Sequence, residues 1–493
     1  MAELALGIAG LVSTVDLCLK AGKAVVTKYR TFKDADSQIR ERILVIEATW
    51  SRISRQLAFL HHLQQRILLT FQSKLEVAVL EISKIERSWN TAQAKRAAAK
   101  YTLLVQESLD RAIKDLQTWA AEFDPTWWLI VRMADRAIDN TIDTELEQET
   151  KVKSFEAARH IRDVVRAEQS SAKGFFLKEA TLQSSVHHDI PFSTSQLIEL
   201  PSGKSTPFIL DSVDCTAVDD VSMFARNVRD LAFKLEKIDP TTFHLLQCFG
   251  VSRVRDPNTR RVLSLNFIFK LPKDYNRPQS LRHLLLCTSN PSLTLRLSLA
   301  KQLATSLSYI HVLDFVHKNI RPETALVFES HDTSPFGPLL LVGFKTFRTA
   351  EGKSLRLTSA DRIENMYQHP ERQGIDPVTD HRMQHDIYSL GVCLLEIGLW
   401  ESFAVGDNPT TPAPFAAARD SVTPKDSFTT MAKQHLPFRM GEKYTRVVVN
   451  CLTCMDPENE DFGDESEFED VFGIRIGVKY IEKILLQLGE ISV

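Results

Sequence analysis

The sequence predicts a multidomain protein in which an N-terminal all-α helical bundle precedes a C-terminal α+β domain, and three observations carry that expectation. No glycine lies between Gly22 and Gly174, and Pro125 is the only proline before Pro191; a span so poor in breakers favours helix. Beyond about residue 191, paired apolar runs separated by polar turns alternate with long helical patterns, as in a mixed domain. The length of 493 residues exceeds what one hydrophobic core organises.

The first segment, ELALGIAGLVSTVDLCLKAG, is apolar nearly all round from Leu4 to Leu11 and leads into Lys20, Lys23, Lys28, Arg30 and Lys33. Such an apolar head with a basic sequel suits an anionic membrane surface, and Leu4, Ile8 and Leu11 are its candidate membrane-facing residues. The second helix carries a heptad seam, Ile39, Ile43, Ile46, Trp50, Ile53, Leu57 and Leu60, at alternating spacings of four and three. A third seam runs Leu68, Phe71, Leu75, Ala78, Ile82, Ile85 and Trp89, and a fourth includes Val105, Leu109, Leu116 and Trp119. Four such stripes pack as an antiparallel bundle over residues 1–125. The bundle is basic, with 18 Lys or Arg against 13 Asp or Glu in residues 1–123, a surplus that a solvated face also explains. Residues 126–190 follow as a helical brace or linker with a stripe at Phe155, Ala158, Ile161 and Val165.

The whole chain carries a formal charge of −3, which gives no overall attraction to nucleic acid. Seven scattered cysteines fit reduced thiols better than a disulfide framework, and Cys451 and Cys454 form a CxxC without the second ligand pair that zinc requires. The apolar stretch Leu4 to Val15 falls short of the ~20 residues of a spanning helix and follows Glu3 rather than a basic region, so a cytoplasmic location is expected.

In the second half, Phe243 to Val254 and Val262 to Leu271 read as strands joined by RDPNTRR. The helix LTLRLSLAKQLATSLSYIH follows, then HVLDFVHKNIRPETALVF at 311–328, the strand PLLLVGF, the segment MYQHPERQ and the apolar helix HDIYSLGVCLLEIGLW. These landmarks come in the order of a protein kinase. His317, Lys318 and Asn319 fall in the frame of His-Arg-Asp, Pro370 and Glu371 in that of Ala-Pro-Glu, and Asp386 on the central helix. Residues 191–493 therefore resemble a bilobal protein-kinase-like fold, with a small lobe at about 191–273 and a large lobe at about 274–493. The glycine-bearing first helix and long bundle resemble the HeLo and HeLo-like domains of fungal cell-death proteins. The joint layout is similar to that of the mixed lineage kinase domain-like necroptosis executors.

The kinase resemblance implies catalytic positions whose chemistry is missing. Asn319 stands where the catalytic base is expected, and a neutral amide cannot take that proton. Thr324 stands at the second magnesium ligand, and Gly343, Phe344 and Lys345 replace Asp-Phe-Gly, removing the metal carboxylate. The strand of the conserved lysine aligns with TPFILDSV, placing Asp211 near it, and no GxGxxG precedes it. SGKST at 202–206 lacks the first glycine of a P-loop and reads as a turn through Pro201, Ser202 and Gly203. His317, Pro370, Glu371 and Asp386 are retained as structural kinase motifs.

No catalytic residue, no metal and no cofactor are implied, with ATP bound without magnesium as the alternative. The resemblance implies a pseudokinase restraining a membrane-active, self-associating effector of programmed cell death that has protein partners and moves from the cytoplasm to the anionic surface of the plasma membrane when activated. Ser354, Thr358 and Ser359 are candidate phosphoacceptors by position in EGKSLRLTSADR, unmodified surface hydroxyls being the plainer reading. A non-catalytic scaffold, in which the bundle associates with proteins, and an atypical active kinase are the alternative functions. Residues 456–470, with nine acidic and no basic side chains, read as a solvated loop before a final helix around Ile476 to Leu488.

Overall fold

A computed structural model describes scattered residues between 125 and 146 and most of 153–491, apart from 167–175, 178–184, 200–206, 217–220, 273–274, 290, 331–335, 345–347, 350–361, 374–380, 405–423 and 463–473. The bundle seams, Leu4, Ile8, Leu11, the SGKST turn and Ser354, Thr358 and Ser359 lie outside the described residues. The chain divides into two compact units, Met1–Glu156 and Ala157–Val493. In the first, Trp127 and Trp128 are buried edge to face with centroids 6.3 Å apart. Helix α1 (Lys153–Arg166) spans the division, so the segment read as a 126–190 brace is shared between the units. Its Ala158 and Ile161 are buried, and His160 Nε2 bonds the Lys234 carbonyl at 3.1 Å.

The second unit opens with a five-stranded antiparallel sheet in the order β1-β2-β3-β5-β4, formed by β1 (Val186–Asp189), β2 (Gln196–Glu199), β3 (Phe208–Asp214), β4 (Cys248–Arg255) and β5 (Val262–Lys270). β5 lies inside the sheet between β3 and β4, and its residues Leu265 to Phe269 are buried on both faces, as VLSLNFIFK allows. The sheet begins ahead of residue 191. β1 is fully exposed and polar, VHHD, so it lacks the apolar alternation that marks an inner strand. The opposite edge, β4, is covered by a parallel bridge from Phe176 to Val251, and Leu177 N donates to Val251 O at 2.7 Å.

The strand expected from Phe243 starts at Cys248 instead. Asp239 caps a short helical turn, Pro240–Phe243, accepting the Thr242 N–H, and His244 ends it at φ +50°. Helix α2 (Val221–Leu235) lays Phe224, Val228, Leu231 and Leu235 into the core against β4 and β5, a spacing of four, three and four.

The rest of the unit is mainly helical. β6 (Tyr275–Ser280) leads into α3 (Leu281–Cys287) and the 20-residue α4 (Leu293–Val312). β7 (Phe315–Val316), β8 (Ala325–Ser330), β9 (Leu339–Leu341) and β10 (Arg348–Thr349) frame the loop segments, with β6-β8-β9 in one sheet and β7 paired to β10 in another. Helix α5 (Met383–Leu399) is buried at every residue and packs against α4, α6 (Pro424–Met440) and α7 (Glu442–Leu452). A Cβ on Gly391 would come within 2.7 Å of Cys451 Cβ, so the glycine sets the close approach of α5 and α7. Cys451 and Cys454 are buried free thiols, pushed up by burial, and Cys454 Sγ reaches the Gln384 carbonyl at 3.4 Å. The CxxC serves packing. Among the described residues, no helix is long and apolar enough to cross a membrane.

Candidate functional site

The described residues singled out in the sequence converge where β7, the 317–324 loop, the turn after β9 and the start of α5 meet. Asp386, on the first turn of α5, is fully buried. Its Oδ2 accepts the His317 N–H at 2.7 Å and its Oδ1 the Lys318 N–H at 2.9 Å, while His381 Nε2 lies 3.0 Å from Oδ1. Burial alone would push this carboxyl up, yet the imidazoles of His381 and His311 hold it well below the usual carboxylate range. These bonds clamp Lys318 at φ +63°, a left-handed conformation costing roughly 1–2 kcal/mol for a residue with a Cβ.

His317 is buried, and burial pushes it down to about 4 against the pull of Asp386. The ring is therefore neutral at pH 7. Nε2 donates to the Val342 carbonyl at 3.0 Å, because a carbonyl can only accept, and Nδ1 accepts the Asn319 N–H at 3.3 Å. Asn319 Nδ2 donates to the Gly343 carbonyl at 2.8 Å. Thr324 is buried, with its hydroxyl 2.9 Å from both the Asn319 and Arg321 carbonyls, and its own carbonyl accepts the Val342 N–H. Asn319, Thr324 and Gly343 thus hold one another in place.

Gly343 adopts φ +86°, and a Cβ there would lie 2.3 Å from Thr324 Cγ2. Asp211, from β3, supplies what the sequence did not disclose: its Oδ2 accepts the N–H groups of Gly343 at 2.9 Å and Phe344 at 3.0 Å. Its Oδ1 accepts the Ser195 hydroxyl at 3.2 Å. This buried anion ties the sheet to the 342–344 turn. Phe344 packs beside His317, ring centroids 4.8 Å apart, and near Phe267 and Phe269 of β5.

The turn between β1 and β2 closes over this region. Ser280 Oγ donates to the Pro191 carbonyl at 2.6 Å, and Ser193 Oγ donates to the Glu323 carbonyl at 2.9 Å. Phe192, at φ +54° and half exposed, stacks on His283 of α3 with centroids 5.9 Å apart. The strap 190–195 is thereby fastened to α3 on one side and to the loop on the other. Short serines in PFSTS were the available signal, but a sequence does not say which carbonyls they meet.

Glu371 and Pro370 sit in a short helical turn, Pro370–Arg372. Glu371 is exposed, and its Oε2 lies 3.8 Å from His385 Nε2. The buried arginine pair lies elsewhere: Arg282 of α3 bonds Glu323 Oε1 at 2.9 Å and Glu396 Oε1 at 2.6 Å, and Tyr367 joins both Arg282 and Glu396.

His369, Glu371 and His385 bring ligand-type atoms within 4.8 Å of one another. Their protons do not suit a cation. His385 Nδ1 accepts the Arg382 N–H at 2.8 Å, which leaves the proton of a neutral ring on Nε2, the nitrogen facing Glu371. His369 Nδ1 likewise accepts the Glu371 N–H at 3.4 Å. A metal-bound imidazole instead donates from its second nitrogen. Backbone donation to the two Nδ1 atoms is what fixes the two rings.

The site is rich in backbone clamps and holds no carboxylate at positions 319, 324 or 343. Comparison with protein-family models finds no match for this chain, and comparison with curated proteins finds none either.

Proposed function

We propose that residues 157–493 form a protein-kinase-like module that regulates instead of transferring phosphoryl groups, and that the chain is a pseudokinase-restrained helical effector acting on anionic membrane surfaces. The observation that carries this reading is Asp211. A carboxylate buried against the 342–344 turn already occupies two of the turn's backbone donors and would repel a nucleotide phosphate brought there. Asn319 and Thr324 spend their side chains on backbone carbonyls, which supports a loop kept for its shape. Phosphoryl transfer depends on a base and a metal clamp, and loss of a general base alone costs about 10²- to 10⁴-fold. The membrane part of the reading rests on the apolar head around Leu4, Ile8 and Leu11 and the basic residues after it.

The test has two arms on the full chain. Incubation with γ-labelled ATP and magnesium gives no transfer to the chain or to a generic protein acceptor; transfer overturns the regulatory reading. The weak dye release that the restrained full chain gives from vesicles of phosphatidylserine and phosphatidylcholine is lost in the triple variant Leu4→Glu, Ile8→Glu, Leu11→Glu. Indistinguishable release by the two proteins overturns the membrane reading and favours a protein-binding scaffold.

A further inference from the structure

The strap at 190–195 is held by hydroxyl groups. Ser193 Oγ uses its single proton to reach the Glu323 carbonyl at 2.9 Å and its lone pair to accept the Ser195 N–H at 3.2 Å. Ser195 in turn donates to Asp211, the residue that fixes the Gly343 and Phe344 amides. A chain of bonds therefore runs from Glu323 through Ser193 and Ser195 to the 342–344 turn. Ser193 is half-buried, flanked by exposed Phe192 and Thr194 at the tip of a tight turn in which Ser193 N donates to Ile190 O at 3.0 Å. The second fastening, Ser280 Oγ to Pro191 O, leaves a pivot on the α3 side.

We infer that Ser193 is a phosphoacceptor whose modification releases the strap and loosens the 342–344 turn. A separate protein kinase supplies the reaction: Ser193 Oγ forms an ester bond to the γ-phosphorus of ATP, the β–γ bridging bond breaks, ADP leaves with the electron pair, and the hydroxyl proton passes to that kinase's base. The consequence follows from donor bookkeeping. The modified oxygen has no proton for the Glu323 carbonyl, and the phosphate brings about −1.5 to −2 charges toward an acceptor atom. Because the hydroxyl is engaged in the closed state, the acting kinase captures the lifted strap, and the phosphate keeps it lifted as a population shift.

This inference deepens the regulatory reading proposed above, yet its test uses neither lipid nor ATP binding, so the two fail separately. Full-length chain carrying phosphoserine at 193, introduced during translation, is compared by hydrogen–deuterium exchange with the unmodified chain, with Ser193→Ala and with Thr194→Asp. The expected result is exchange about tenfold faster in peptides covering 190–199 and 341–344 for phosphoserine, from the loss of a hydrogen bond plus repulsion. Ser193→Ala shows a smaller rise, and Thr194→Asp, with the charge one position along on an exposed side chain, shows none. Unchanged exchange with phosphoserine at 193, or an equal rise with Thr194→Asp, overturns the latch. Phosphopeptide mapping of the chain from its own cells is expected to place phosphate on Ser193; its absence under every condition that drives self-association overturns the modification.

Discussion

Asp211 accepts the backbone N–H of Gly343 at 2.9 Å across 132 positions of sequence, and that bond joins the five-stranded sheet to the helical part of the second unit. The same oxygen accepts from Phe344 and the other from Ser195, so three donors converge on one buried carboxylate. Asp211→Ala leaves two buried backbone donors unsatisfied and is expected to destabilise the chain by about 2–4 kcal/mol. Asp211→Asn keeps an acceptor oxygen and costs less, about 1–2 kcal/mol. Urea unfolding followed by tryptophan fluorescence measures both, and equal costs would show that a neutral acceptor oxygen there contributes nothing and that the charge carries the whole effect.

Introducing a carboxylate at the 342–344 turn is expected to fail unless its neighbour changes too. Gly343 combines φ +86° with a Cβ position 2.3 Å from Thr324 Cγ2 and 2.7 Å from Thr324 Cβ. Gly343→Ala and Gly343→Asp therefore each cost about 2–4 kcal/mol through backbone strain and overlap. Adding Thr324→Gly relieves the overlap but not the strain, so the double variant recovers part of the loss. A Gly343→Ala protein with unaltered denaturation midpoint would contradict the packing of Thr324 against the turn.

Much of the second unit was legible because its elements follow local rules. The helices at 293–312 and 383–399 and the strands at 208–214 and 262–270 declare themselves by apolar patterning, and Gly343, Asn319 and Thr324 could be aligned from the loop motifs around them. β1 was not legible, because an exposed edge strand reading VHHD has no buried face to impose alternation. The start of β4 was misplaced because Asp239 and Pro240 form a cap whose φ reversal at His244 overrides the apolar run TTFHLL. The roles of Asp211, Ser193 and Arg282 depend on partners 132, 130 and 114 residues away, distances at which residue type names a donor or acceptor but not what it meets.

Arg282 offers the sharpest test of a buried pair. Its guanidinium reaches Glu323, Glu396, Ser402 and Tyr367, and Glu396 is fully buried. Arg282→Met strands the Glu396 carboxylate and is expected to cost about 3–5 kcal/mol. Replacing both partners, as Arg282→Met with Glu396→Leu, removes the stranded charge and restores at least half of that loss. Differential scanning calorimetry on the two variants decides the matter: a double variant as unstable as the single one would place the energy in the remaining contacts to Tyr367 and Glu323.

The buried histidines make the second unit acid-sensitive, and the sign can be worked out. Burial lowers His244, His317 and His369 to about 4 and His381 to about 3, from an ordinary value of 6.5. These rings are neutral in the folded chain at pH 5, whereas in the unfolded chain they are protonated. Unfolding thus takes up protons between pH 6.5 and about 4, and stability falls as pH falls through that window. With four groups the slope approaches about 5 kcal/mol per pH unit at its steepest, since each contributes about 1.36. Above pH 6.5 the histidine contribution is complete and stability is flat in this respect. Asp386, held low, adds a loss in the same direction only below the ordinary carboxylate range. Urea midpoints measured at half-unit steps from pH 8 to 4 are expected to be level down to about 7 and then to drop steeply. His381→Asn removes a ring whose neutral state the fold enforces, so it flattens the drop while lowering stability at pH 8 through the lost bond to Asp386. A midpoint that stays level to pH 5 would mean that these rings take up protons in the folded state as readily as in the unfolded one, and would overturn the lowering by burial.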